Sequence, residues 1–450
     1  MKQIKITITN IASSGHGTAE HSAYGLVHVL GAFPGDQVMA RVYKTIGSVS
    51  YAEIISFLEY SLWRTSKPEV APFFAANMPW EHLSDEAEEK YKQDFVYGLY
   101  EQDLSIELQK SFTSKKIISN PALAKTHYRN KVAYSFMKNK KGTLTFALYT
   151  RGAGDTVKVE QTENPLAHPL LEKTGKQFLQ FFNQKQLDLR DLKYLILRYS
   201  YSENTVVAHI LAPETNRKKI AFKKSDLENF LKNIPHISGV LVSHSERGIR
   251  SAMTTKDFYK IGNITLTEKV LEKTYTYHPS LFFQIYPAAF ESILSDLRMV
   301  IENIPNRENL SILDLFAGVG IIGLEVADLV PAVTGVEIST LSGKYARKNA
   351  ALNTIDNFTF TESSVDDILN YIETNQILIV DPTRAGLSDM TIETILEKQP
   401  KYIAYISCNP ETQHDNFEKL KELYTITFAK AYNIFPKTHH VESMIVLEKK

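Results

Sequence analysis

The chain has 450 residues and carries 51 Lys or Arg against 51 Asp or Glu, so its formal net charge is zero. This balance disfavours a uniformly basic protein that coats nucleic acid, and the length predicts two or three domains. The single cysteine excludes an intrachain disulfide, a zinc site built from cysteines and an iron–sulfur cluster with cysteine ligands. No signal peptide opens the chain and no apolar run is long enough to span a membrane, so a cytoplasmic protein is predicted.

Charge is distributed unevenly along the chain. Residues 280–450 hold 14 basic and 23 acidic side chains, whereas residues 107–160 hold 11 Lys or Arg and 3 acidic side chains. The basic middle of the chain can therefore contact a polyanion, while the acidic C-terminal part serves another purpose.

Short β-runs broken by glycine fill residues 4–58. They alternate apolar and polar residues and are punctuated by Gly15, Gly17 and the turn at 31–36. This pattern predicts a small antiparallel barrel over residues 1–60. Such barrels often bind single-stranded nucleic acid, and a purely structural module is the alternative that the residues leave open.

The middle region, residues 61–279, mixes predicted helices and strands and is read as α+β. Helices are expected over residues 85–109, 172–184 and 224–231.

Within this region the segment 126–131 places Arg129 and Lys131 beside an aromatic residue. Cations next to an aromatic ring suit phosphate contacts and base stacking in RNA. A basic turn follows at 138–142, for which a solvated charged loop is the simpler interpretation.

From Leu310 onward strands and helices alternate, which predicts an α/β unit with a parallel sheet and right-handed crossovers. Helices are expected from Ile321, through 344–349 and over 389–398. The last two strands follow each other with no room for a helix, so they are expected to form an antiparallel hairpin at the end of the sheet.

A glycine-rich loop, Gly318-Val-Gly320-Ile-Ile-Gly323, follows the first of these strands, and Glu337 ends the next one. Glycines let the backbone approach an adenosine moiety, and a carboxylate on the second strand can accept both ribose hydroxyls. A nicotinamide dehydrogenase and an S-adenosylmethionine methyltransferase both need this geometry. Only about 130 residues follow, which suits a six-stranded dinucleotide fold poorly. A tight turn without a ligand is the remaining alternative.

Four polar residues lie next to the later strands. Asp381 and Arg384 follow the strand ILIV, Cys408 follows YIAYIS, and Glu442 opens the final strand. Carboxyl ends of parallel strands meet at one edge, where open α/β sheets bind ligands. A thiolate there would be a strong nucleophile, and a carboxylate could act as a general base. The ordinary alternatives are a turn residue for Asp381, a small buried residue for Cys408 and an exposed hairpin residue for Glu442.

Two adjacent histidines, His439 and His440, precede Glu442. Such a pair can belong to a metal site, but only Glu442 is close in sequence as a further ligand. No metal site is therefore predicted.

Together these segments resemble a known family, the RNA uracil carbon-5 methyltransferases that make 5-methyluridine in transfer RNA and 23S ribosomal RNA. The resemblance covers the chain from end to end, through ITNIASSGHGTA, GAFPGD, HYRNK, FFQIYP, DLFAGVG, VEIS, DPTRAGL, SCNPET and HHVES. It implies a TRAM-type β-barrel, an α+β central RNA-binding domain, and a Rossmann-like methyltransferase domain over residues 280–450 that uses S-adenosylmethionine.

The resemblance also implies roles for individual residues. Cys408 would be the nucleophile and Glu442 the base, while Arg129 and Lys131 match a stretch that faces RNA. The expected S-adenosylmethionine site consists of Gln284, Phe316, Gly318, Glu337 and Asp381.

The sequence departs from the family pattern at several positions. Tyr286 and Ile321 replace asparagines, and Asp415 replaces an arginine. The region corresponding to the four-cysteine motif of many members, residues 68–83, contains no cysteine, so no iron–sulfur cluster is expected.

The sequence therefore predicts a monomeric enzyme that methylates carbon 5 of a uridine in RNA, with no membrane partner. We expect 23S ribosomal RNA rather than transfer RNA, because the full architecture resembles those members more. Cytosine carbon-5 methylation fits less well, because that family usually carries two active-site cysteines. A non-catalytic RNA-binding or ribosome-assembly factor is the alternative from another functional class.

Overall fold

The computed structural model of the chain describes residues 3–67, 78–114, 117, 123–152, 155–161, 163–246 and 256–450. Most of the region expected to correspond to the cysteine motif, residues 68–77, lies outside the described residues. The described ranges contain 22 strands and nine α-helices, and the strands form three large sheets and one hairpin. No helix in these ranges combines the length and apolarity needed to cross a membrane.

The first sheet has six strands and its own hydrophobic core. Its strands are β1 (Gln3–Thr7), β2 (Asn10–Ile11), β3 (Gly17–His21), β4 (Gly25–Leu30), β5 (Gln37–Ile46) and β6 (Val49–Glu59). They lie in the order β1-β5-β6-β4-β3-β2. Neighbours are antiparallel, as the glycine-punctuated pattern predicts, except that β6 returns beside β4 in the parallel direction. The strand interiors alternate between buried apolar and exposed residues, which is why this small sheet can enclose a core.

Two helices follow where the sequence predicts a single one over residues 85–109. They are α1 (Asp85–Tyr100) and α2 (Ile106–Ser114). Ser84 begins α1 by accepting the N–H of Ala87 at 3.2 Å. Ser105 Oγ accepts the N–H of Leu108 at 3.3 Å and begins α2. A serine cap favours a new helix over continuation of the old one, so the prediction of one helix was wrong.

The central sheet has seven strands with helices on one face. Its strands are β7 (Lys131–Lys138), β8 (Leu144–Gly152), β9 (Asp155–Glu160), β10 (Tyr194–Ser200), β11 (Thr205–Ala212), β12 (Ile237–His244) and β13 (Lys256–Gly262). The order is β13-β12-β11-β10-β7-β8-β9. Helix α3 (Pro169–Gln184) packs on β10 and β8, and α4 (Lys224–Leu231) packs on β13. A hairpin of β14 (Leu266–Val270) and β15 (Lys273–Tyr277) follows.

The C-terminal sheet contains four parallel pairings and ends in two antiparallel ones. Its strands are β16 (Ser311–Leu315), β17 (Val333–Glu337), β18 (Phe358–Glu362), β19 (Gln376–Val380), β20 (Tyr402–Ser407), β21 (Tyr424–Tyr432) and β22 (Glu442–Lys449). The order is β18-β17-β16-β19-β20-β22-β21. The accompanying helices are α5 (Pro287–Glu302), α6 (Ile321–Glu325), α7 (Thr340–Leu352), α8 (Asp389–Lys398) and α9 (Pro410–Leu420). The observed α/β architecture confirms the predicted fold class, including the terminal hairpin.

The hydrophobic cores do not follow sequence order strictly. Tyr100 and Phe112, from α1 and α2, share a core with β19, β20 and β22 of the C-terminal sheet. Tyr275 and Tyr277 of β15 share the core on the other side of that sheet with α5. The three domain ranges predicted from the sequence therefore remain predictions.

Candidate active site

The predicted nucleophile, the predicted base and one predicted cofactor residue lie together at the carboxyl edge of the C-terminal sheet. Asp381 follows β19, Cys408 follows β20, and Glu442 is the first residue of β22. Strands β20 and β22 are antiparallel, with Ser407 opposite Ser443. Cys408 is the residue that follows Ser407, and Glu442 is the residue that precedes Ser443, so both lie at this end of the strand pair. The charge of Glu442 acts on the Cys408 thiol, which confirms that the two side chains are near each other.

Burial and mutual charge dominate the electrostatics of this cluster. Burial, and then the charges of Glu442 and Asp381, raise the pKa of the half-buried Cys408 thiol to about 11. Burial and the neighbouring Asp381 raise the pKa of Glu442 well above its ordinary value. Burial alone raises the pKa of Asp381 to about 7. Burial therefore favours the neutral forms of the Cys408 thiol and the Glu442 carboxyl, whereas Asp381 titrates near neutral pH.

Arg384 supplies the opposing charge. Its guanidinium lowers the pKa of Cys408 and of Glu442, although burial of both groups outweighs this effect. Arg384 Nη2 lies 3.0 Å from Nδ1 of His440. Burial lowers the pKa of His440 to about 2, so its ring is neutral and can accept from the arginine. The sequence analysis noted this arginine but did not assign it to the site, although its place directly after Asp381 is the signal that could have done so.

The loop that follows Asp381 is held against the start of α9. The carbonyl oxygen of Arg384 accepts from Asn409 Nδ2 at 3.0 Å and from Thr412 Oγ1 at 3.2 Å. Gly386 has φ +75°, and a Cβ there would lie 2.6 Å from Asn416 Oδ1. Glycine is therefore needed at this position both for its backbone conformation and for the close approach.

The glycine-rich loop after β16 is fixed by a buried carboxyl group. Asp314 Oδ2 accepts the N–H of Gly323 at 2.9 Å. Burial raises the pKa of Asp314 to about 8. Gly318 and Gly320 have φ of +54° and +86°, which favour glycine, and Phe316 also lies in this left-handed region with φ +64°.

A cleft of about 220 Å³ lies beside this loop. Two predicted cofactor residues line it, Phe316 and Glu337, together with Ile338, whose surface is 70% exposed. Further lining comes from residues 364–366 and from Gly386, Ser388 and Thr391. An apolar slot with a carboxylate at its side fits a nucleoside, because the slot can hold a base and the carboxylate can accept ribose hydroxyls. In the described structure, the lining does not include Gln284, Gly318 or Asp381.

Gln284 lies on the segment between β15 and α5 and is 9% exposed. Asn130 holds this segment: its Nδ2 donates to the carbonyl oxygen of Gln284 at 3.1 Å, and its backbone N–H donates to that of Ile285 at 3.0 Å. Tyr286 stacks on Tyr128 with ring centroids 4.7 Å apart. The departure from the family pattern at Tyr286 is thus accommodated as aromatic packing.

The two predicted RNA-contacting residues lie in different environments. The charge of Arg129 helps to lower the pKa of His440, so Arg129 lies within electrostatic range of the catalytic edge. Its Nε finds no hydrogen-bond partner in the described part of the chain. Lys131 lies opposite Arg198 on β10. Burial and then Arg198 lower the pKa of Lys131 to about 8.

Comparison with known proteins places this geometry in context. A family model described as tRNA (uracil-5-)-methyltransferase matches residues 102–450. A Thermotoga maritima protein named as an uncharacterized RNA methyltransferase is 26% identical over 99% of this chain and 99% of its own. A Nanoarchaeum equitans protein of the same description is 28% identical over 99% of this chain and 93% of its own. The fold is similar to that of the tRNA (uracil-54, C5)-methyltransferase of Pyrococcus abyssi, solved with S-adenosyl-L-homocysteine, with a TM-score of 0.76 and 19% identity over 99% of this chain and 100% of that one.

Proposed function

Because the chain belongs to the tRNA (uracil-5-)-methyltransferase family, we propose that it methylates carbon 5 of a uridine in RNA with S-adenosylmethionine as the methyl donor. The observation that supports the proposal is that Cys408, Glu442 and Asp381 share one end of the C-terminal sheet, where the charges of Glu442 and Asp381 act on the Cys408 thiol. A nucleophile and a base at one sheet edge are the two groups that this reaction requires.

Cys408 begins the reaction as a thiolate. Its sulfur forms a bond to carbon 6 of the uracil, and the C5–C6 π electrons move to give an enolate that is nucleophilic at carbon 5. The donor, when bound, would supply an electrophilic methyl group on a sulfonium. Carbon 5 would bond to the methyl carbon as the bond from that carbon to the sulfonium sulfur breaks, and the neutral thioether would leave. Glu442 then removes the proton from carbon 5, and the electron pair released expels the Cys408 sulfur from carbon 6.

Arg384 and burial set the protonation of the thiol in this scheme. Burial and the nearby carboxyl groups disfavour the thiolate, while Arg384 favours it. Arg384 is exposed, and its contact with His440 holds the guanidinium at the catalytic edge, where its charge acts on the sulfur. We therefore assign Arg384 to thiolate stabilisation.

The cleft beside the glycine-rich loop fits the nucleoside part of the donor. Phe316 and Ile338 provide apolar surfaces, and Glu337 provides acceptors for ribose hydroxyls. Gly318, Gln284 and Asp381 would extend this site towards the catalytic edge. The acidic balance of residues 280–450 also suits a cationic donor.

For the RNA we propose 23S ribosomal RNA, because the architecture of the chain resembles the family members that act on it more than those that act on transfer RNA. Transfer RNA is the second candidate, because the matching family model and the similar solved structure carry the names of transfer RNA enzymes. In either RNA the target uridine must leave its stack to reach Cys408, at a cost on the order of a few kcal/mol. Arg129 would contact the backbone next to the displaced base.

The experiment that tests the function is methyl incorporation from labelled S-adenosylmethionine into transfer RNA and 23S ribosomal RNA that lack 5-methyluridine. We expect 5-methyluridine at one or a few sites with the unaltered protein, and none with Cys408→Ala. Glu442→Gln should lose turnover, whereas Glu448→Gln should retain it. Glu448 is a matched control because it lies on β22 with the same strand parity, six residues away, where it accepts from Tyr402. Absence of labelled methyl groups in both RNAs would favour the non-catalytic RNA-binding alternative.

A further inference from the structure

An aromatic cluster lies at the end of the central sheet, outside the residues assigned so far. His168 stacks on Tyr199 with ring centroids 3.7 Å apart and an interplanar angle of 10°. The ring of Tyr201 meets both of them edge to face, at 5.7 Å from His168 and 5.0 Å from Tyr199. Tyr199 is buried, but Tyr201 is 41% exposed. The cluster therefore presents one supported aromatic ring to solvent.

Hydrogen bonds from the hydroxyl and the backbone of Tyr201 fix the position of its ring. Tyr201 OH donates to the carbonyl oxygen of Tyr128 at 2.7 Å. Its backbone N–H donates to Glu268 Oε1 at 3.0 Å. The rings of His168 and Tyr199 both contact the Tyr201 ring edge to face. An exposed aromatic ring that is fixed in this way loses little entropy when another ring stacks on it.

The cluster is also connected to the catalytic edge. The backbone N–H of His168 donates to the carbonyl oxygen of Arg129 at 3.0 Å. Tyr128, which receives the hydroxyl of Tyr201, donates its own hydroxyl to the carbonyl oxygen of Pro436 at 2.9 Å. Pro436 lies in the segment between β21 and β22 that leads to Glu442. A chain of two hydrogen bonds thus joins the exposed ring to the loop of the proposed base.

From this arrangement we infer that Tyr201 is a stacking platform for an unpaired base of the substrate RNA, next to the uridine that enters the site. The inference rests on the proposed function and adds a specific contact to it. An aromatic face accepts any base. Arg129 directly follows Tyr128, whose carbonyl oxygen accepts from Tyr201, and a cation near the cluster suits the phosphate that follows. When the target uridine leaves its stack, its neighbour loses a stacking partner, and the tyrosine ring would replace it.

The inference can be tested by RNA binding, which does not depend on methyl transfer. The probe is a single-stranded RNA of about ten nucleotides with a central uridine and 2-aminopurine at either neighbouring position. Stacking on an aromatic side chain contributes about 1–3 kcal/mol per base, so Tyr201→Leu should raise the Kd about 5- to 150-fold. It should also abolish the quenching of one 2-aminopurine that the unaltered protein causes.

Two variants separate stacking from a merely structural role. Tyr201→Phe keeps the ring and removes only the hydroxyl bond to Tyr128, so it should bind RNA nearly as well as the unaltered protein. Tyr371→Leu is the control. Tyr371 is 42% exposed, like Tyr201, but it precedes β19 and so lies towards the amino ends of the parallel strands, away from Cys408. Its substitution should leave RNA binding unchanged. Equal weakening by Tyr201→Phe and Tyr201→Leu would overturn the inference, as would an unchanged Kd for Tyr201→Leu.

Salt dependence gives a second readout that loss of structure would not imitate. Stacking releases no counterions, so Tyr201→Leu should leave the slope of log Kd against log salt unchanged. Loss of a phosphate contact, as in Arg129→Met, should reduce that slope by about 0.7 for single-stranded RNA. A reduced slope for Tyr201→Leu would contradict stacking. If the unaltered protein binds and quenches the probe but transfers no methyl group, the proposed reaction fails while the stacking contact stands.

Discussion

The thiol of Cys408 should ionise far above the pH at which an ordinary cysteine does. Burial and neighbouring carboxyl groups raise its pKa to about 11, whereas free cysteine has a pKa of about 8.5. At pH 8, about one thiol in a thousand is then ionised, against about one in four for free cysteine. Because thiolate is the reactive form and Cys408 is the single cysteine of the chain, alkylation reports this group alone.

Glu442→Gln is the perturbation that tests this reasoning. After burial, the charge of Glu442 contributes most to raising the pKa of the thiol, and glutamine removes that charge with little change of shape. The carboxyl and the thiol titrate as a coupled pair, so the variant leaves the thiol to titrate alone. We expect the midpoint of its titration to fall, and the alkylation rate at pH 8 to rise about tenfold for each unit by which it falls.

The assay is the rate of iodoacetamide addition, followed by mass spectrometry of the intact protein from pH 6 to pH 11.5. Using the midpoint rather than the absolute rate removes the effect of limited access to the thiol. Glu448→Gln is the control and should leave the midpoint unchanged. A midpoint near pH 8.5 in the unaltered protein, or an unchanged midpoint in Glu442→Gln, would refute the electrostatic account of the site.

Three further predictions concern the framework around the site. Lys92 Nζ lies 2.8 Å from Glu88 Oε1 in the interior, so Lys92→Met should lower the free energy of unfolding measured in urea by about 3 kcal/mol. The control Lys90→Met, at an exposed position, should change it by less than about 1 kcal/mol. Equal effects of the two substitutions would count against a buried ion pair. The pKa of Asp314 in the folded state is raised to about 8. Between about pH 4 and pH 8 the folded protein therefore keeps a proton on Asp314 that the unfolded chain has lost, so the free energy of unfolding should fall by about 1.4 kcal/mol per pH unit. Asp314→Asn should flatten that dependence in urea unfolding at pH 5 and pH 7.5, and an unchanged slope would disprove the assignment. Gly320→Ala should cost about 1–2 kcal/mol of stability at φ +86°; thermal unfolding that matches the unaltered protein would contradict this.

The strand ends that carry the site were predictable because local pattern decides them. Asp381 and Cys408 each follow an apolar run that is buried along its whole length, which is typical of a central parallel strand. Because the carboxyl ends of neighbouring parallel strands lie at the same edge of a sheet, the α/β pattern predicted that Asp381 and Cys408 are close together. The proximity of Cys408 and Glu442 did not follow from the pattern, because it depends on β22 entering the sheet between β20 and β21. Strand order is a tertiary property that alternating polarity does not encode.

The elements that sequence reasoning missed have identifiable local causes. Helices α5 and α9 both begin with a proline, Pro287 and Pro410, and neither helix was predicted from the sequence. Proline at the first helical position is a start signal, since its missing N–H needs no partner there. The contact of Arg384 with His440 joins residues 56 positions apart, so only the folded chain brings them together.

The central claim is that the sulfur of Cys408 bonds to carbon 6 of the target uracil. The most direct test replaces the target uridine by 5-fluorouridine in an RNA that the enzyme methylates and adds S-adenosylmethionine. Fluorine at carbon 5 leaves no proton for Glu442 to remove, so elimination cannot release the enzyme. We predict a stable protein–RNA adduct whose digestion yields a peptide containing Cys408 bonded to the methylated fluorouracil nucleotide. Methylated RNA that separates from an unmodified Cys408 would contradict the account.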